Sequence, residues 1–150
     1  MSKMCTIIDV KNQFNSKDCF DIYSACMYMP TYETFYEKAN MLMEDEDIYV
    51  LGSQINGKLN GIIAIKLNDI KNAEIVGIAV DSSCRNQGIG KQLITHIMKN
   101  FNIDNLFAET DDDAILFYRK CGFITEECYK TYKTGIFKRY KCNLLKNKNL

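Results

Sequence analysis

The sequence predicts one mixed α/β domain built around a single sheet. Three observations carry this. The 150 residues are the length of one domain, 1–150. Of them 47% are apolar and 25% charged, the mix of an ordinary globular chain. Strand-like and helix-like segments follow one another as β-α-α-β-β-β-α-β-α-β-β, the pattern of a mixed central sheet of about seven strands with helices on both faces, α/β or α+β in class. A chain this long buries roughly 68 to 70% of the surface it exposes when unfolded, so its stability requires neither metal nor disulfide.

Each element has a local reason. Met4 to Val10 alternates loosely and reads as a first strand. Cys19 to Met29 carries Phe20, Ile22, Tyr23, Cys26 and Met27 at helical spacing, with Ser16 as its N-cap and Pro30 as its stop. Thr31 caps a second helix through about Met43, whose inner face is Phe35, Ala39 and Leu42. Ile48 to Ile55 and Leu59 to Leu67 flank Asn56-Gly57, a strong hairpin signal because both residues accept the positive φ of a type I′ turn. A third strand of this meander runs from Ala73 to Val80. Beyond it come a glycine loop, a helix from Gly88 to Asn100, a strand from Leu106 to Glu109 and a helix from Asp113 to Cys121. Strands near Phe123 to Tyr129 and Phe137 to Leu144 close the chain.

Composition narrows the function. Nineteen basic and 19 acidic side chains sum to zero charge, which argues against nucleic acid as the partner, since duplex binding rests on clustered Lys and Arg. No apolar run reaches the roughly 20 residues of a membrane span. Met1 to Val10 lacks a signal peptide's basic start and apolar centre. The expected setting is the cytoplasm, with neither membrane nor nucleic acid as partner. The seven cysteines, Cys5, Cys19, Cys26, Cys84, Cys121, Cys128 and Cys142, include no C-x-x-C pair. They are expected as free thiols, most of them small core hydrophobes, and no metal site is expected. The single histidine, His96, is read as a helix-surface residue.

The most informative segment is Ile78-Ala79-Val80-Asp81-Ser82-Ser83-Cys84-Arg85-Asn86-Gln87-Gly88-Ile89-Gly90-Lys91. By residue frequencies alone, R-x-x-G-x-G arises in about one chain in 25 of this length, so its position carries the weight. It joins an apolar strand to an amphipathic helix, where unpaired N–H groups and the positive end of the helix converge on an anion. Two other phosphate loops fail by residue. A Walker A loop has glycine where Arg85 stands and Ser or Thr where Gln92 stands, and a dinucleotide fingerprint has its third glycine where Leu93 stands.

Val80 to Lys91, with Arg85-x-x-Gly88-x-Gly90, and then Ala114-Ile115-Leu116-Phe117-Tyr118-Arg119-Lys120-Cys121-Gly122-Phe123 resemble the two signature regions of the GNAT superfamily of acetyl-CoA-dependent N-acetyltransferases. The element order matches that fold too, so the resemblance covers nearly the whole chain. It implies acetyl-CoA as co-substrate, with Ile78, Ala79 and Val80 beside the pantetheine arm. Arg85, Asn86, Gln87, Gly88, Ile89, Gly90 and Lys91 then fall at the pyrophosphate. It implies direct transfer of acetyl to a primary amine of a small molecule or peptide, by a monomer or homodimer. A non-catalytic acyl-CoA-binding sensor or interaction module is the alternative from another class.

Acetyl transfer needs a neutral amine and a protonated leaving thiol. Deprotonating a lysine-like amine at pH 7 costs about 4.6 kcal/mol and an α-amine about 1 kcal/mol, so the need for a base depends on the acceptor. By resemblance to histone-acetyltransferase-type members, Glu74 is the candidate base or water-positioner. Tyr118 falls where the family often has a tyrosine near the coenzyme sulfur, as candidate acid and coenzyme contact; a core aromatic beside Phe117 is its plainer reading. Members often carry asparagine where this chain has Asp111, and a carboxylate cannot donate as an amide does; the acids Asp111, Asp112 and Asp113 are expected to cap the following helix. Cys84 and Cys121 lie within the signature regions without an activating base, which leaves direct transfer the expectation. Tyr28, Tyr32 and Tyr36 either line the acceptor cleft or pack their helix on the sheet. Charge is unevenly placed: acids gather at Glu44 to Asp47 and Asp104 to Asp113, and none follows Glu127, while Lys130, Lys133, Lys138, Arg139, Lys141, Lys146 and Lys148 do. This basic segment is expected to be a solvated strand edge.

Overall fold

A computed structural model describes residues 5–146; Met4 of the first predicted strand and Lys148 of the basic segment lie outside them. The strands are β1 (Thr6–Asp9), β2 (Ile48–Ile55), β3 (Lys58–Leu67), β4 (Asn72–Val80), β5 (Asn105–Thr110), β6 (Ile124–Tyr132) and β7 (Gly135–Leu145). The helices are α1 (Lys17–Tyr23), α2 (Tyr32–Glu44), α3 (Ile89–Asn100) and α4 (Ile115–Lys120). This is the predicted element order. The sheet runs β1-β2-β3-β4-β5-β7-β6, antiparallel throughout except where β4 meets β5.

Local chemistry sets the boundaries. Ser16 Oγ accepts from the Cys19 N–H and starts α1, while Thr31 and Thr34 close a capping box on α2. The helix predicted to reach Met29 ends at Tyr23 and tightens into a 3-10 turn over Ser24–Cys26. Asn56 and Gly57, at φ 53° and 79°, make the expected I′ turn. The last two strands run longer than predicted, because Tyr132 pairs with Gly135 across a two-residue Lys133-Thr134 turn.

Two apolar layers sandwich the sheet. Ile62 and Ala64 of β3 join the layer under α1 and α2, with Phe14, Tyr23, Phe35 and Ala39. Ile63 and Ile65 join the opposite layer, with Leu93, Ile94 and Ile97 of α3 and Ile115 and Tyr118 of α4. A strand buried on both faces reads as a continuous apolar run, which is why Ile62-Ile63-Ala64-Ile65 shows no alternation. Each such large side chain contributes about 1.5–3 kcal/mol on burial.

Candidate functional site

The parallel contact between β4 and β5 is short. Asn72, Ala73 and Glu74 pair with Asn105, Leu106 and Phe107, and no further pair follows, although β4 continues to Val80 and β5 to Thr110. The two strands part into a fork. A bulge in β4 helps to turn it: Ala64 of β3 faces Gly77 while Ile65 faces Ile75, so Val76 stands without a partner. The bulge also resets which side chains point where. Ala73 and Ile75 belong to the α3/α4 layer, and beyond the bulge it is Ile78 and Val80 that pack there, while Ala79 belongs to the α1/α2 layer.

Side chains from both layers meet at the fork. From the α1 side, the Tyr23 ring is buried, with its hydroxyl against Gly77, where any Cβ would collide with it. That hydroxyl has no hydrogen-bond partner among the described residues. Cys26, on the 3-10 turn after α1, is open to solvent, and its thiol donates to the Tyr23 carbonyl at 3.2 Å. Desolvation in this recess still pushes the thiol up to about 11, opposed chiefly by the Lys38 ammonium. From the other side comes Tyr118, buried, with its ring edge-on to Phe117 and to Phe123, each at 5.2 Å. Burial raises both phenols well above the usual tyrosine range. Among the groups each phenol senses, Tyr23 has Cys26 and Tyr118, and Tyr118 has Cys142 and Cys26.

The glycine loop stands at the open end of the fork. Ser82–Cys84 forms a 3-10 turn, Arg85 through Gly88 are exposed, and Gly88 at φ 80° caps α3 without any side-chain cap bond and with no acid in the first turn. The amide end of α3 therefore faces solvent, flanked by the exposed Arg85 and Lys91. The two glycines have different reasons. Gly88 has open space around it and is needed for its positive φ, while a Cβ at Gly90 would lie 2.8 Å from the Phe117 ring. Gly90 thus lets α3 close on α4, and only Gly88 answers to the loop itself.

The remaining predicted residues are placed as follows. Glu74 sits in the paired base of the fork, opposite Phe107 on one side and Lys66 on the other. It is half-buried and makes no hydrogen bond or ion pair among the described residues. Gly77 is three residues further along, roughly 10 Å at strand rise, and no hydrogen bond joins Glu74 to Tyr118 among the described residues. Asp111 Oδ1 accepts from the N–H groups of Asp113 and Ala114 at 3.0 and 3.2 Å, closing the turn before α4. The helix α4 itself starts with no side-chain cap bond and no acid in its first turn. Contrary to expectation, Asp111, Asp112 and Asp113 therefore do not cap it, Asp112 being taken up by Tyr140 and Lys138 instead. Tyr32 is a packing residue: its ring lies 5.5 Å from Phe20 and its hydroxyl donates to the Asn15 carbonyl. Tyr28 is almost fully exposed. His96 is half-buried on α3. Along α3, outside the fork, runs a groove of about 420 Å³ between Lys91, Met98, Cys121, Leu144 and Lys146.

Much of the basic segment is paired rather than free. Lys130 and Arg139 reach Glu109, and Lys138 reaches Asp112 at 3.3 Å. The Tyr140 hydroxyl also donates to Asp112, which holds that carboxyl below its usual range, with the Lys138 ammonium assisting. Among the described residues, no group of three His, Cys, Asp or Glu side chains is arranged to hold a metal ion. No helix there is long and apolar enough to cross a membrane.

Tyr23, Cys26 and Gly77 were not singled out from sequence. Gly77 carries a signal, since an isolated glycine within a strand marks a bulge or a close approach; Tyr23 and Cys26 carry none beyond helical spacing.

Comparison with known proteins bears on the family and the fold. Residues 16–123, more than half of the chain, match the model of the acetyltransferase (GNAT) family. No curated protein matches the sequence. Solved structures are similar over nearly the full length. The ribosomal-protein-S18-alanine N-acetyltransferase from Escherichia coli is 21% identical at a TM-score of 0.71, covering 98% of this chain and 99% of its own. An aminoglycoside 6′-N-acetyltransferase complexed with coenzyme A is 14% identical at 0.73, with coverage of 98% and 99%. A GNAT family acetyltransferase from Elizabethkingia anophelis with acetyl-CoA bound is 18% identical at 0.66, with coverage of 94% and 97%.

Proposed function

The chain belongs to the acetyltransferase (GNAT) family, and from that premise we propose that it transfers acetyl from acetyl-CoA to a primary amine, by direct attack in a ternary complex. The observation that carries this reading is the fork between β4 and β5, which opens beside an uncapped helix end. A strand edge that loses its partner keeps backbone donors and acceptors that must be satisfied. The coenzyme's pantetheine arm is an extended chain with two amides, and β4 from Ile78 through Ala79 to Val80 offers it a ladder. At the mouth, the amides of Asn86, Gln87, Gly88, Ile89 and Gly90, with Arg85 and Lys91, offer positive charge to a pyrophosphate. The coenzyme A and acetyl-CoA in the similar structures support the same assignment.

Within the fork, Tyr118 donates a hydrogen bond to the sulfur as the thioester breaks. Because burial keeps its phenol protonated, the residue acts by stabilising the developing thiolate with a hydrogen bond; full proton transfer to the sulfur is uphill throughout, since a thiol is the stronger acid, and the thiolate takes its proton from solvent. After Glu74, β4 has no partner on its β5 side, which leaves backbone in the fork where an N–H can polarise the thioester carbonyl. Glu74, half-buried and without a partner, takes the proton from the acceptor ammonium through intervening water. For an α-amine this step costs about 1 kcal/mol at pH 7 and requires little of Glu74.

The test has two stages. Acetyl-CoA at a concentration well above its dissociation constant raises the melting temperature, since 100-fold excess over Kd is worth about 2.7 kcal/mol. Thiol release is then followed against α-amino peptides, polyamines, aminoglycosides and amino acids. No thermal shift with acetyl-CoA overturns the assignment of the fork, and a shift with no release for any amine leaves coenzyme binding and overturns catalysis.

A further inference from the structure

The outer strand of the hairpin, β6, is the exposed edge of the sheet. Its nine residues, Ile124–Tyr132, pair with β7 in unbroken register. It has no proline and no bulge, and Ile124, Tyr129 and Tyr132 stand exposed at 70%, 67% and 47%. The opposite edge, β1, is only four residues long. A long, flat, partly apolar edge is a template for a further strand.

The sequence of β6 says which strand fits. In a two-fold antiparallel pair of identical strands, one residue faces its own copy and the others pair symmetrically about it. With Cys128 on the axis, Glu126 lies opposite Lys130, Ile124 opposite Tyr132, Thr125 opposite Thr131, and Glu127 opposite Tyr129. The Glu–Lys, Ile–Tyr and Thr–Thr pairs are then complementary, no like charges meet, and the two Glu–Lys pairs fall on the face that also carries Cys128. Sliding the axis to Glu127 sets like charges face to face. Moving it to Tyr129 loses both Glu–Lys pairs. We propose that β6 is an isologous interface, joining two copies of this chain edge to edge through antiparallel β6 strands centred on Cys128. Glu126 is exposed and its carboxyl makes no hydrogen bond or ion pair within its own chain among the described residues, so it is free to serve the partner copy's Lys130, whose ammonium then bridges Glu126 and its own chain's Glu109.

The arrangement makes a chemical forecast. Residues directly opposite in an antiparallel pair have Cα atoms about 4.5–5.5 Å apart, inside the range of about 4.4–6.8 Å that a disulfide spans. Diamide, a two-electron oxidant, should join Cys128 to Cys128 of the second copy, taking up the two thiol hydrogens and their electrons.

Sedimentation equilibrium of the full chain should show a monomer–dimer equilibrium. Diamide should trap the dimer through a peptide linking Cys128 to itself, and Cys128→Ser should abolish the link but not the dimer. Glu126→Lys sets lysine against Lys130 twice per interface and should weaken the dimer about tenfold or more; because it also faces Lys141 of its own chain, the monomer's melting curve is taken as well, to show that the variant still folds. Mixing Glu126→Lys with Lys130→Glu chains, each shown folded by its melting curve, should restore association by hetero-pairing. A monomer at every concentration overturns the proposal. So does a dimer as tight with Glu126→Lys as without it, or a diamide link through any other cysteine.

Discussion

Replacing Tyr118 with phenylalanine removes one oxygen and leaves both ring contacts in place. The ring is buried among Phe117 and Phe123, and the hydroxyl makes no hydrogen bond among the described residues. Folding stability should therefore change by no more than about 0.5 kcal/mol. What is lost is a hydrogen bond to a sulfur that becomes anionic, and bonds to charged groups are worth about 1.5–3 kcal/mol. At 1.36 kcal/mol per tenfold, kcat should fall by about 10- to 150-fold while KM for acetyl-CoA moves little. The fall should be the same at every pH from about 6 to 9, because the buried phenol sits well above the ordinary pKa near 10 and does not ionise there. Initial rates of thiol release over that range, with the melting curve of each protein, make the measurement. An unchanged rate removes Tyr118 from the chemistry and leaves it a core aromatic. A fall that deepens steadily with pH would mean the hydroxyl titrates within the range, against the burial that raises it.

Three further outcomes follow from the fork. Tyr23→Phe should raise the melting temperature by about 2–4 °C, since a buried hydroxyl without a partner costs about 1 kcal/mol or more; a lowered midpoint would show that the hydroxyl is satisfied in the folded protein. Stability should fall above about pH 10: Tyr23 and Tyr118 are both held protonated, the unfolded chain releases those protons first, and stability present below the unfolded pKa is lost as pH rises toward the folded one. Urea titrations at pH 8 and pH 11 check this, and a Tyr118→Phe chain that declines as steeply as the wild type would contradict it. Gly88→Ala should cost about 1–2 kcal/mol from its φ of 80° and raise KM for acetyl-CoA, with Gly88→Asn milder, because the space around Gly88 is open; equal losses for the two would point to a steric cause instead.

The parts of this fold that sequence makes legible are those settled within a few residues. Ser16, Thr31 and Asn56-Gly57 act as written because a cap or a tight turn is decided by its own side chains. The insertion of β7 between β5 and β6 is not written locally, since either strand of the hairpin has the alternation to pair with β5. The same distinction divides the site. The glycine loop is visible as a string, whereas the fork depends on where β4 stops pairing with β5, a matter of the whole sheet. Tyr23 and Cys26 reach it only because α1 lies across β4 and ends there, and nothing in their immediate sequence marks them. Gly90 was legible as part of the loop, but the reason it has no Cβ, the Phe117 ring packed against it, is not written in its neighbourhood.

The fork is also where the sheet is least complete, and three features keep it so. Parallel strands in register for three residues would ordinarily continue to pair, but the bulge at Val76 turns the course of β4, and the Tyr23 hydroxyl fills the space over Gly77 from the α1/α2 layer. Meanwhile β5 is held on its other edge by six paired residues of β7, so it cannot swing back without breaking that ladder. Each unpaired backbone group in the gap carries a cost that water relieves only in part. A ligand with amides at strand spacing completes the sheet, and the free energy of doing so adds to whatever the phosphates gain at α3. Under the proposed binding mode, coenzyme binding and closure of the sheet are one event, and a substitution at Tyr23, which has no phosphate to touch, is expected to change acetyl-CoA affinity by changing how far the strands stand apart.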